Sequence, residues 1–195
     1  MSTQKTKFST RNLTLGAMMT ALVIVFQLLA TYTAFFGPFS TAIGLIPIII
    51  GAILCGPLMG VWLGFVFAFI VFVTGGANLF FMFSIPGTLI TVLAKGMGCG
   101  FAAGLVNKFL KKLNQDIAAI VSAILCPIVN TGLFLLGSYI FFLPYASDIA
   151  GQIGKNLSGF EVFIALAMGN FLFELGLCLV VSPIVVKVLR LSKKF

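Results

Sequence analysis

The 83 positions from Asn12 to Ala94 carry no charged side chain. A soluble fold needs charge on its solvent face. The interior of a bilayer penalises each central Lys, Arg or Asp by about 2.5 to 3.5 kcal/mol. A run this long therefore confines the chain to a membrane, and composition agrees. Hydrophobic residues make up 61% of the 195 and charged residues 8%, with a mean hydropathy of +1.21. Phenylalanine alone, at 22 copies, outnumbers every charged type, as side chains facing acyl tails require.

The expected class is an all-α membrane protein. At about 20 apolar residues per crossing the sequence predicts six transmembrane helices, near 13–34, 43–54, 60–73, 86–106, 117–137 and 161–186, in a single membrane domain over 1–195. Basic residues followed by an apolar stretch could mark a signal peptide. This stretch runs too long for one and no cleavage-like site follows, so it is taken as the first span. TYTAFFGP marks an interface and a turn. CGPLMG separates the second helix from the third, because Pro57 and its flanking glycines disfavour continuous helix. Residues 74–87 are expected to form an aromatic loop, and Pro86 suits a first helical turn. A longer loop containing Pro144, Asp148 and Lys155 precedes the last helix.

The net charge of +8 could suggest nucleic acid, but its distribution argues otherwise. Lys5, Lys7 and Arg11 precede the first apolar run. Lys108, Lys111 and Lys112 cluster in the middle, and Lys187, Arg190, Lys193 and Lys194 close the chain. Three basic clusters between apolar stretches follow the positive-inside rule, which places both termini in the cytoplasm. The four cysteines lie within apolar runs without metal-site spacing and are expected as buried free thiols.

The polar residues at membrane depth are few, and each needs a partner or a purpose. Lys95 lies nine residues beyond Pro86, about 13 Å into the membrane at 1.5 Å per residue. Glu174 sits between two stretches of 12 uncharged residues, with Asn170 one turn away on the same face. Asn130 and Thr131 follow Pro127, Gln27 lies in the outer part of the first helix, and Asn78 is in the aromatic loop. Together they describe an outward-opening polar cavity. Lys95 and Glu174 could equally neutralise each other as a structural pair, and the two asparagines could serve as interhelical hydrogen-bond glue. Gly56, Gly60 and Gly64, and likewise Gly96, Gly100 and Gly104, form small-residue ridges that let helices approach closely. Ala17 and Ala21 make a shorter ridge that could dock another membrane protein.

Several functions are disfavoured. The chain has no histidine, which removes the usual general base and a common metal ligand. Four acidic residues, two of them in or beside loops, cannot form a carboxylate metal cluster. No GxxxxGK[ST] loop is present, so ATP hydrolysis by this chain is not expected. GMGCGFAAG is rich in glycine, but it lies within an apolar helix and no strand precedes it. Catalysis is not expected, and no metal or other cofactor is expected in this chain.

The run RNLTLGAMMTAL, followed by IPIIIGAILCGPLMGVWLGFVFAFI, resembles the S components of energy-coupling-factor (ECF) vitamin transporters. The resemblance covers essentially the whole chain. Its most specific part is Pro47, Gly56, Pro57, Gly60 and Gly64, while Ala17 and Ala21 match the family's AxxxA motif. The resemblance implies an S-component-like bundle in a prokaryotic cell membrane. It implies docking of the AxxxA motif on a transmembrane coupling subunit driven by two ATPase subunits, which would hold ATP and Mg. It further implies a vitamin pocket near the outer face, capped by TYTAFFGPFS and TGGANLFFMFSIPG, in a subunit that topples to carry its substrate inward. The expected substrate-binding residues are Lys95, Asn130, Thr131, Asn170, Glu174, Asn78, Gln27 and Tyr32. Lys95 suits a carboxylate, and Asn130, Thr131, Asn170 and Gln27 suit amides and hydroxyls. VNTGLFLLG resembles the pantothenate branch, so pantothenate is the expected vitamin. Riboflavin, folate or hydroxymethylpyrimidine would keep the class and change the substrate. A small self-sufficient secondary transporter would change the class, but it should show two related halves, and no convincing repeat is present.

Overall fold

The computed structural model describes residues 10–32, 43–154 and 157–191, which form helices, turns and short links. The helices are α1 (Thr10–Tyr32), α2 (Leu45–Cys55), α3 (Pro57–Val73), α4 (Asn78–Phe81), α5 (Ile85–Leu110), α6 (Gln115–Phe141), α7 (Ala146–Gln152) and α8 (Glu161–Leu191). A 3₁₀ turn, Leu143–Tyr145, joins α6 to α7.

Among the described residues, four helices contain stretches long and apolar enough to cross a bilayer: Asn12–Thr31, Ile85–Leu110, Gln115–Phe141 and Glu161–Ser182. The other two of the six expected spans correspond to the shorter apolar helices α2 and α3, of 11 and 17 residues. At 1.5 Å per residue those two reach about 16 and 25 Å, short of a hydrocarbon layer of about 30 Å. Two expected loops also differ from the structure. The stretch 74–87 contains α4, and the stretch 138–160 contains the end of α6, the 3₁₀ turn and α7.

Local chemistry sets the boundaries. Between α2 and α3, Gly56 adopts φ 98°, a conformation that a side chain would strain, and Pro57 opens α3. Ser84 caps α5 by accepting a hydrogen bond from the Gly87 N–H at 3.2 Å. Asn114 caps α6 by accepting from Asp116 and Ile117 at 2.8 and 3.2 Å.

The bundle is built around α2, whose residues Leu45 to Ile53 are buried without interruption. It touches α1, α3, α5, α6 and α8. A helix that is apolar on every face can be wrapped in this way at no polar cost. The outer helices instead expose large apolar side chains, among them Leu58, Phe69 and Val180, which in a bilayer meet lipid. Helices α3 and α5 approach each other closely. A methyl group on Gly60 would collide with the Gly100 backbone, and one on Gly64 with the Gly96 backbone.

Candidate functional site

Lys95 leaves α5 beside the Gly64–Gly96 contact and lines a cavity bounded by α3, α5, α6 and α8. Asn130 and Thr131 enter it from α6, and Asn170 and Glu174 from α8. Phe67, Val71, Phe134 and Leu166 supply apolar wall. The cavity is small, about 50 Å³. A second, of about 30 Å³, adjoins it and shares Val71, Gly76, Lys95 and Phe134 with it. Its other walls include Thr88, Thr91, Phe80 and Phe142.

The four-residue helical repeat explains why these groups meet. Residues four apart share a helix face, so Thr91, Lys95 and Cys99 form one line on α5. Cys126, Asn130 and Phe134 form another on α6, and Asn170, Glu174 and Cys178 a third on α8. The three thiols are buried and lie toward the basic end, so the polar layer rests on a sulfur layer. The Cys99 thiol donates to the Gly96 carbonyl at 3.1 Å.

The Lys95 ammonium lies 5.5 Å from the centroid of the Phe134 ring, a cation–π arrangement. The Glu174 carboxylate is within electrostatic reach of the same ammonium. Glu174 and Asn130 are only 5% exposed. The Oδ1 atoms of Asn130 and Asn170 are buried and accept no hydrogen bond among the described residues. A buried acceptor in that condition costs about 1–3 kcal/mol. The layer thus presents one cation, one anion and two unoccupied amide acceptors inside an apolar wall.

Five of the eight expected substrate-binding residues line this cavity: Lys95, Asn130, Thr131, Asn170 and Glu174. Gln27 does not line it. Its side chain is fully buried, with Oε1 against Gly44. Asn78 begins α4, is exposed and packs against Gly75. Tyr32 ends α1, and its side chain lies outside the described residues, as do residues 33–42 of the expected first capping loop. Sequence reasoning missed Phe134 and Thr91. Each stands one turn from a residue it did select, Asn130 and Lys95 respectively, and that spacing was the available signal.

Ala17 and Ala21 are exposed and line a shallow apolar groove of about 470 Å³ between α1 and α3, with Leu13, Met59 and Trp62. The Trp62 indole N–H donates to the Thr20 hydroxyl at 3.2 Å and fixes one wall.

The sequence model of one protein family, described as ECF transporter, substrate-specific component, matches residues 11–186. Neither a curated protein sequence nor a solved structure matches the chain.

Proposed function

The chain belongs to the ECF transporter substrate-specific component family, and from that premise we propose that it is the high-affinity substrate-binding subunit of an ATP-driven vitamin uptake transporter, with pantothenate as substrate. Family membership implies a substrate and partners within an ECF complex. The observation that carries the reading further is the convergence of Lys95, Asn130, Asn170 and Glu174 from three helices on one cavity. Lys95 would pair with the carboxylate of the vitamin. The buried Oδ1 atoms of Asn130 and Asn170 would accept from its hydroxyls, and the Phe134 ring would pack on its aliphatic part.

The same reading gives the groove at Ala17 and Ala21 to the coupling subunit. It leaves ATP and Mg to two partner ATPase subunits, so this chain acts as a binding protein and not as an enzyme. The basic helix ends, including Lys108, Lys111 and Lys187, would face the cytoplasm of a prokaryotic cell, with both termini on that side.

Binding to the purified protein in detergent tests the proposal directly. Pantothenate, riboflavin, thiamine, biotin, folate and hydroxymethylpyrimidine would be compared by thermal shift and then calorimetry. Submicromolar affinity for pantothenate alone supports the whole reading. Submicromolar affinity for another vitamin keeps the class and replaces the substrate. No binding by demonstrably folded protein rejects the vitamin assignment.

A further inference from the structure

A second polar feature lies at the opposite end of α5 from the first turn that leads to Lys95. There a cavity of about 440 Å³ opens between the C-terminal end of α2, the start of α3 and the end of α5. Its walls include Leu54, Leu58 and Gly104, and its rim carries Lys108 and Lys111. Both lysines are exposed, and Leu58 is 80% exposed. The negative end of the α5 dipole accounts for lysines at this position. It does not account for the cavity beside them.

Two further observations give that cavity a chemistry. The first is the start of α3. Proline at position 57 has no N–H, and no side chain caps the helix, so the first-turn N–H groups of Leu58 and Met59 have no intrahelical acceptor. They add to the positive potential of the two lysines. The second is Asn107, which lines the cavity and is 3% exposed. Its Nδ2 donates to the Ile53 carbonyl at 3.1 Å, closing the end of α2. Its Oδ1 accepts no hydrogen bond among the described residues. The amide is therefore held in one orientation with an acceptor left over, in a pocket that is otherwise cationic at the rim and apolar along the side.

We propose that this pocket binds an anionic glycerophospholipid whose headgroup carries hydroxyls. The phosphate sits between Lys108, Lys111 and the N–H groups opening α3. A small shift of the pocket wall exposes Asn107 Oδ1, which is buried here, to a headgroup hydroxyl, and an acyl chain runs along Leu54 and Leu58. Basic pockets between transmembrane helices recognise lipid headgroups in this manner. A soluble anion would use the rim but would have no need of the apolar flank. The site is separate from the vitamin cavity and does not depend on which vitamin binds.

The test uses the full-length protein in a neutral detergent, with native mass spectrometry counting lipids retained after titration. The probes are dioleoyl phosphatidylglycerol, phosphatidylcholine and phosphatidic acid, each with identical chains, and inorganic phosphate. Phosphatidylglycerol is expected to be retained at about tenfold lower concentration than phosphatidylcholine, given the effect of each juxtamembrane lysine on an anionic lipid. Lys108→Gln with Lys111→Gln should abolish that preference, while Lys112→Gln, outside the pocket lining, should preserve it. Either single pocket substitution should reduce it, which keeps the test valid if the double variant melts early. Equal retention of the two lipids, or a preference that survives the double substitution, overturns the site. Phosphatidic acid held as tightly as phosphatidylglycerol overturns the role of Asn107. Displacement of lipid by inorganic phosphate would show that the pocket reads a free anion, which overturns the lipid assignment.

Discussion

Gly64 and Gly96 meet backbone to backbone, so that α3 and α5 touch one residue away from Lys95. A methyl group on either glycine would press into the carbonyl of the other. Backbone cannot rotate aside as a flexible side chain can, so relief requires the helices to separate. Separation would also turn or lift the segment that aims Lys95 into its cavity.

Gly64→Ala and Gly96→Ala should therefore each destabilise the protein by about 1–3 kcal/mol, the usual cost of overpacking, and should weaken substrate binding as well. Gly132→Ala and Gly169→Ala are the controls, because a methyl at either position meets nothing within 4 Å. Thermal melts of the four variants, followed by calorimetry, check the prediction. Equal melting temperatures across the set would remove the glycine contact as a constraint.

Lys95→Met should reduce affinity for an acid vitamin about tenfold to a hundredfold, the value of a charge-assisted hydrogen bond at about 1.5–3 kcal/mol. Glu174→Gln should move affinity the other way. It removes an anion from a site that receives an anion, so the carboxylate ligand should bind as well or better. A ligand that brings a cation would respond with the opposite sign to both substitutions. Calorimetry on the pair thus reports the charge of the substrate independently of its name.

Asn130→Leu separates binding from stability. Oδ1 of Asn130 has no hydrogen bond to lose among the described residues, and replacing a buried, unpartnered polar group with an apolar one of similar size is near neutral or stabilising. The melting temperature should hold or rise while vitamin affinity falls. A large drop in melting temperature would instead identify Asn130 as structural glue between helices.

Ala17→Leu combined with Ala21→Leu would fill the groove beside Trp62. Both alanines are exposed, so the purified variant should melt and bind vitamin as the parent does. Uptake of labelled vitamin by cells that also express the ECF coupling module should be lost. Normal uptake would move the docking surface elsewhere on the chain.

Sequence reasoning could find Lys95, Glu174, Asn130 and Asn170 because a polar side chain within an apolar span is expensive and therefore conspicuous. It gave depth along each helix but not rotation about the helix axis. Gln27 lies at membrane depth, yet its helix turns it toward Gly44 and away from the cavity. Asn78 lies in a segment that was expected to form the lid, but α4 leaves it exposed and buries Phe80 instead. The apolar lining was invisible for a different reason. In a membrane chain, Phe134 against a ligand and Phe69 against lipid carry the same signal. The same ambiguity concealed α2, whose unbroken apolar run suits a lipid-facing span as well as the buried centre of a bundle.

The cavity around Lys95, at about 50 Å³, has room for only a few water molecules. Ligand sites typically enclose about 300–1,000 Å³. A ligand of that size should therefore displace wall residues such as Phe134 as it enters. If that displacement is slow, the observed association rate should rise with vitamin concentration and then level off, so that the speed of capture is set by the protein and not by the encounter.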